Sequence, residues 1–252
     1  MYFNQIYIIS TGYNCELFVE KYAQSVLNQN YPKDKFKIIV WNDCSTDQTG
    51  EMVDNCFKLV QNAKVFHAKE RFFAPKAQRV LMTNPEIDDE SIIMVVDLDD
   101  ELPDNEVLSR VNSYYNQNQN LLFTFGDFVV RDNGIITPSS QNRMPEDFKK
   151  LRVNKGLNLT CSHLKTWKSK LYKKIREDAF LNDDGQFMKS STEPMYTYPM
   201  LEMAGKDRVL FTKDINYIYN LHDNNCIKQH NWMSVCSPIV GRKKPYHRID
   251  DF

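Results

Sequence analysis

Several features that would fix the class of this chain at once are missing. Its six cysteines, at positions 15, 44, 56, 161, 226 and 236, form no C-x-x-C pair. A structural zinc site or a thioredoxin-like redox centre therefore has no support, and the cysteines read as reduced, mostly buried thiols of a cytosolic protein. No apolar run approaches the ~20 residues that span a bilayer. The opening Met1-Tyr-Phe-Asn-Gln-Ile-Tyr-Ile-Ile9 lacks the basic region and long apolar core of a secretion signal. The expectation is a cytoplasmic protein, soluble or peripherally attached to a membrane. An excess of one charge is missing too. The formal net charge is −1, so no global field gathers nucleic acid, and no nucleic-acid partner is expected. The single basic cluster, Arg242-Lys-Lys-Pro-Tyr-His-Arg248, reads as a solvated segment or as a contact for phosphate or an anionic membrane surface. Internal repeats and low-complexity linkers are absent.

What is present is a chain of 252 residues, 42% hydrophobic and 12% aromatic, enough for a substantial core. Strands are expected at Gln5–Ile9, Lys37–Trp41, Lys64–His67 and Ile92–Val96. Helices are expected between them: Glu16–Asn28 with Asn14 as N-cap, a second from Thr46 or Asp47 to about Val60, and a third in the later part of Arg71–Asn84. Ile92–Val96 has no polar alternation, the mark of a strand buried on both faces. This rhythm predicts an α/β fold with a mostly parallel, doubly wound sheet flanked by helices. After Pro103 the rhythm changes. A helix at Asn105–Asn116 is followed by a strand at Leu121–Val130 and the turn Arg131-Asp-Asn-Gly134. Gln141–Gly156 reads as loop, His163–Arg176 and Glu193–Ala204 as helices, and Val209–Phe211 and Ile215–Tyr219 as strands. The whole reads as one domain, 1–252, whose C-terminal part is smaller, antiparallel and helical.

In open parallel sheets ligands bind beyond the carboxyl ends of the strands. Three predicted strands end in polar punctuation: Ser10-Thr-Gly-Tyr-Asn14, Asn42-Asp-Cys-Ser-Thr-Asp47 and Asp97-Leu-Asp-Asp100. Singly, each set can be helix caps or strand stops. Together they mark one sheet edge as a site. The last admits two chemistries. Asp97 can attack a phosphate, as in haloacid-dehalogenase-like phosphatases with Asp99 as acid/base, or the carboxylates can hold a cation. Against the first, three strands precede Asp97, and Glu101 stands where that family wants Thr or Val.

Ser25-Val-Leu-Asn-Gln-Asn-Tyr-Pro32 followed by Asn42-Asp-Cys-Ser-Thr-Asp47 resembles the family 2 glycosyltransferases of the GT-A fold, whose usual forms are "SVLNQTYP" and "DDGSTD". Asn42 and Cys44 replace Asp and Gly, and Gly12 interrupts the family's Thr-Tyr pair. The Asp97-Leu-Asp99 segment falls where that family carries its D-x-D. The resemblance implies a nucleotide-sugar-binding half (1–104) and an acceptor-binding half (105–252). It implies that Thr11 and Tyr13 flank a nucleotide base, and that Asp43 accepts from the base's ring N–H, which favours a UDP-sugar. It implies that Asp97 contacts the ribose or the metal's water shell and that Asp99 ligates Mn²⁺ or Mg²⁺. Lys76 and Arg79 stand between the third and fourth strands, where they can reach donor phosphates or lie solvated.

An inverting transfer needs a carboxylate to take the acceptor's proton. The segment Ser191–Gly205 looks like the one that carries the family's base, which makes Glu193, standing for the family's usual Asp and opening the predicted helix ahead of Pro194, the candidate base, and a carboxylate suits a helix N-terminus. Asp183 and Asp184 are held in reserve. Tyr219-Asn-Leu-His-Asp-Asn-Asn225 resembles the family's "Y-R-x-H-x-x-N" ending, which makes His222 a candidate for the metal or diphosphate, with His230 behind it. His163 and Trp167 can contact an acceptor sugar, or Trp167 can be core. The expected partners are a nucleoside diphosphate sugar and a glycan, lipid-linked or protein acceptor. A sugar-nucleotide pyrophosphorylase would need a Gly-rich, Arg-containing loop after the first strand, and none is there. A non-catalytic sugar-binding module of the same fold is the remaining alternative, although it could dispense with Asp43, Asp97, Asp99 and Glu193.

Overall fold

The computed structural model describes residues 2–139, 142–152, 161–190, 192–223, 225 and 232–251. Four parallel strands build its first half: β1 (Ile6–Gly12), β2 (Phe36–Asn42), β3 (Ala63–His67) and β4 (Ile92–Val95). Helices α1 (Val19–Leu27), α2 (Thr49–Phe57) and α3 (Phe73–Met82) connect them. The spacing of Val19, Tyr22, Ala23 and Val26 puts one apolar stripe of α1 into the core. Successive residues of β1 and β4 enter two different cores: Tyr7, Ile9, Ile93 and Val95 one, Ile6, Ile8, Ile92 and Met94 the other. Burial on both faces is what the unbroken apolar run of β4 requires.

The second half begins with α4 (Val107–Gln117) and the hairpin β5 (Phe123–Asp132) and β6 (Ile135–Pro138), whose turn is Asn133-Gly134, both at positive φ. Then follow β7 (Thr166–Lys168), α5 (Ser169–Lys173), α6 (Thr192–Ala204), β8 (Val209–Leu221) and α7 (Trp232–Arg242). The sheet runs β3-β2-β1-β4-β7-β5-β6, with β8 parallel to β5. Strand β7 lies antiparallel between β4 and β5 and fuses the two halves into one sheet.

Four local expectations need correction. β1 continues through Thr11 to Gly12, because pairing with β2 extends to Gly12↔Asn42. Asn14 does not cap α1. It sits at φ +54°, and its side-chain oxygen accepts from the Thr46 amide at 2.9 Å, tying two loops together. His163–Arg176 is not one helix: Thr166–Lys168 is claimed by the gap between β4 and β5, leaving only Ser169–Lys173 helical. The two predicted strands after residue 209 are one strand with register shifts beside Gly126 and Asp127. Among the described residues no helix is long and apolar enough to cross a membrane. In the basic C-terminal cluster, Arg242 pairs with Asp183 and Arg248 with Asp207 and Asp250.

Candidate active site

The polar ends of β1, β2 and β4 meet. The Asp43 amide donates to the Gly12 carbonyl at 2.9 Å, and the Leu98 amide to the Thr11 carbonyl at 3.2 Å. A Cβ on Gly12 would lie 2.5 Å from Leu98 Cβ, so only glycine lets β1 press against the aspartate loop. Cys44, in the usual place of a glycine, adopts φ +62°, the left-handed region that glycine takes without cost.

Asp43 is buried and crowded. Its Oδ1 accepts from Trp41 Nε1 (3.1 Å) and the Phe72 amide (2.8 Å), and its Oδ2 from Arg71 Nε (3.0 Å) and the Phe73 amide (2.9 Å). Phe73 stands at φ +60°, and its amide and that of Phe72 both reach the carboxylate. Four donors fill the acceptor capacity of a carboxylate. A base N–H therefore reaches Asp43 only by replacing one of them, and Arg71, a long side chain that is a third exposed, is the donor best placed to yield. Its guanidinium carbon lies 3.3 Å from the centre of the Tyr13 ring. Thr11 is buried in β1, with Gln78 Nε2 at 3.4 Å from its hydroxyl. Lys76 stands over the Phe72 ring at 3.8 Å, and the Phe72 amide donates to Asp43. Arg79 faces the other way: it donates to the Ile175 carbonyl at 2.8 Å and lies against Tyr172 and Phe180. The expected donor contact of Arg79 is thus replaced by a packing role under α5.

In the aspartate loop the three carboxylates divide their work. Asp100 is fully buried. It accepts from the Tyr217 hydroxyl at 2.7 Å and from the Asn220 amide at 2.7 Å, which fastens β8 beneath the loop. Tyr217 also accepts from the Asp97 amide at 3.2 Å. Asp99 is left facing outward, with His222 Nε2 at 3.0 Å from its Oδ2, and Phe18 packs on the imidazole at 4.5 Å. Burial, followed by the charge of Asp99, raises the Asp97 carboxyl to about 7. Such a concentration of negative charge is relieved by a cation. One outward carboxylate, one imidazole and a second carboxylate close by suit Mn²⁺ or Mg²⁺, which take their remaining ligands from substrate phosphates and water. Among the described residues no three His, Cys, Asp or Glu side chains are grouped so as to hold a metal ion by themselves, so Asp99 and His222 would supply only part of a coordination shell. The donor set fits an ion shared with a ligand.

Glu193 opens α6 and is about a third exposed. Its Oε1 is in contact with Lys165 Nζ and 3.7 Å from His163 Nε2. His163 stacks on Tyr217 at 4.3 Å and meets Phe128 edge-on. Burial holds its imidazole well below its ordinary range, hence neutral. Lys165 is buried, which pulls its ammonium down to about 7 against the charge of Asp97. Trp167 is 0% exposed and stacked on Phe123, so its ring is core and offers no face to an acceptor. Asp183 and Asp184 lie on an exposed turn, Asp183 paired with Arg242. His230 lies outside the described residues.

Sequence reasoning missed Arg71, Lys165 and Tyr217. Lys165 falls within the helix expected at His163–Arg176, and that helical expectation hides the alternation of His163, Lys165 and Trp167. Arg71 and Tyr217 carried no signal, since both act through partners distant in sequence.

Comparison with known proteins bears on the fold and the family of this chain. The chain is 24% identical over 213 residues to poly(ribitol-phosphate) beta-N-acetylglucosaminyltransferase TarS of Staphylococcus aureus, covering 84% of this chain and 35% of that protein. It thus spans about a third of that relative's length. The crystal structure of S. aureus TarS 1-349 in complex with UDP-GlcNAc superposes with a TM-score of 0.67 at 18% identity, covering 90% of this chain and 61% of that one. The mannosyltransferase PcManGT from Pyrobaculum calidifontis, in complex with GDP-Man and Mn2+, superposes with a TM-score of 0.59 at 14% identity, covering 93% and 60%. These likenesses show the GT-A fold. Residues 7–176 match the family described as Glycosyl transferase family 2, which removes the phosphatase reading of Asp97: the chain belongs to glycosyl transferase family 2 and is a glycosyltransferase.

Proposed function

We propose that this enzyme moves a sugar from a UDP-linked donor to a hydroxyl of a glycan or glycoconjugate, with inversion at the anomeric carbon and with Mn²⁺ or Mg²⁺ bound. The observation that carries this reading is the meeting of the β1, β2 and β4 ends: Asp43 bonds to Gly12 and Leu98 to Thr11, the Asp99 carboxylate lies beside His222, and the partly exposed Glu193 is joined to the aspartate loop through Lys165. In this reading the base enters between Tyr13 and the 71–73 segment and replaces Arg71 on Asp43, while Lys76 sits near the phosphates. Asp99 and His222, with Asp97 behind them, would hold the cation, which supplies charge neutralisation for the departing diphosphate. Glu193 takes the proton from the attacking hydroxyl. His163, beside Glu193, is the residue left to touch the acceptor.

A thermal-shift screen of UDP-, GDP- and TDP-sugars, with and without Mn²⁺, tests the donor. A ligand at 100 Kd stabilises by about 2.7 kcal/mol, which for a domain of this size raises Tm by roughly 5–11 °C. A shift with UDP-sugars that depends on Mn²⁺ is expected. A flat response to all of them overturns the donor assignment. Glu193→Gln is expected to bind donor normally and to lose turnover. Full turnover in that variant removes Glu193 as the base.

A further inference from the structure

A lysine is rarely buried, because an ammonium leaves water at a cost of several kcal/mol unless a partner meets it. Lys165 has 2% of its side chain exposed. It stands directly ahead of β7. Its Nζ contacts Glu193 Oε1. The Tyr196 ring of α6 lies 5.9 Å away, and Asp97, in the loop after β4, lies within electrostatic reach. His163 Nε2 approaches the same Oε1 at 3.7 Å. Among the described residues, both nitrogen groups that address Glu193 address that one oxygen.

This asymmetry has a chemical use. A carboxylate that removes a proton from a hydroxyl needs one oxygen free and correctly aimed, and it loses efficiency if it rotates or pairs elsewhere. We propose that Lys165 is a positioning residue for the transfer: it pins Oε1 of Glu193 from behind and presents Oε2 to the acceptor hydroxyl. The proposal rests on the reading of Glu193 as base. The proton passes from the acceptor oxygen to Glu193 Oε2 as that oxygen bonds the anomeric carbon and the diphosphate leaves, and Lys165 neither gains nor loses a bond. Among the described residues the charged and titratable groups that meet Glu193 are Lys165 and His163 ahead of β7, with Tyr196 of α6 and Asp97 facing Lys165 in turn.

The test is a titration that needs no substrate. Glutamate labelled at Cδ gives carboxyl NMR signals, and the Glu193 signal is the one missing from Glu193→Gln. Lys165→Met is expected to move its midpoint up by about a unit or more, since the neighbouring cation is gone. Lys165→Arg, which keeps the charge, is expected to restore it. In parallel, UDP release from UDP-GlcNAc with Mn²⁺ is expected to fall at least tenfold in Lys165→Met, with the acid limb of its pH profile displaced the same way and KM for the donor unchanged. Partial rescue by Lys165→Arg is expected. A Glu193 midpoint unmoved in Lys165→Met overturns the proposal, and so does an unmoved midpoint in Lys165→Gln should the methionine variant not fold. Failure of the base reading looks different: Glu193→Gln then keeps its turnover whatever Lys165 variants do.

Discussion

The hydroxyl of Tyr217 is a single atom on which the shape of the aspartate loop depends. It donates to Asp100 Oδ2 at 2.7 Å and accepts from the Asp97 amide at 3.2 Å, with no exposure to solvent. Tyr217→Phe removes that oxygen and little else: the ring, and its stack with His163 at 4.3 Å, remain. A buried carboxylate oxygen and a buried backbone N–H are then left without partners. At ~1–3 kcal/mol for each such group, with some relaxation, the loss is about 3 kcal/mol. For a domain of this size that lowers Tm by roughly 6–12 °C. Asp100→Asn keeps an acceptor for the Asn220 amide, so roughly half that loss is expected. Both variants also loosen the loop that carries Asp99, so the Mn²⁺ concentration for half-maximal donor binding is expected to rise several-fold. Differential scanning calorimetry and a Mn²⁺ titration of UDP binding measure the two effects. A Tyr217→Phe protein that melts within about 1 °C of the parent would show that the oxygen does not hold the loop, and the division of labour among Asp97, Asp99 and Asp100 would fall with it.

Asp99→Ala is expected to leave the fold intact and to abolish Mn²⁺-dependent stabilisation by UDP; persistence of that dependence refutes the metal assignment. Trp167→Ala is expected to cost about 3–5 kcal/mol, as for a large aromatic removed from a packed core, read by urea denaturation. A Trp167→Phe protein of parental stability with a tenfold higher acceptor KM would return Trp167 to the acceptor site. His163 is neutral in the fold because of burial, while in the unfolded chain it gains a proton below about pH 6.5. The unfolded state then binds more protons, so stability falls as pH drops below that value, by up to about 1.4 kcal/mol per unit. His163→Gln removes this contribution, and its stability is expected to fall less than the parent's between pH 6.5 and 5; equal slopes refute the buried, neutral assignment.

The donor half was legible because its signals are local. Apolar runs of four or five residues and their polar ends recur in the order that a parallel sheet imposes, and Asn42-Asp43 and Asp97–Asp100 mark its carboxyl edge. The second half was less legible because its geometry is set by distant partners. Thr166–Lys168 is a strand only because β4 and β5 flank it. Asp100 had no readable role until Tyr217 and Asn220, more than a hundred positions away, supplied its donors. Asp43 looks like an open acceptor in the sequence because its neighbours there do not reveal that Arg71, Phe72 and Phe73 fold back onto it. Glu193 and His222 were readable as candidates, whereas the lysine behind Glu193 was not, since a buried cation leaves no pattern of its own.

The placement of β7 also sets a timetable. During synthesis β4 is complete at Val95, but the strand that covers its edge starts at Thr166, roughly 70 residues later. At ~5–20 residues per second, the nascent sheet waits roughly 4–14 s with an apolar, hydrogen-bond-hungry border facing the ribosome exit and the chaperones around it. An uncovered edge of that kind recruits foreign strands. Pausing translation after residue 104, or separating the gene there into two co-expressed pieces, should therefore yield aggregates rather than a soluble donor-binding fragment, even though all the residues proposed to touch the nucleotide base have by then been made.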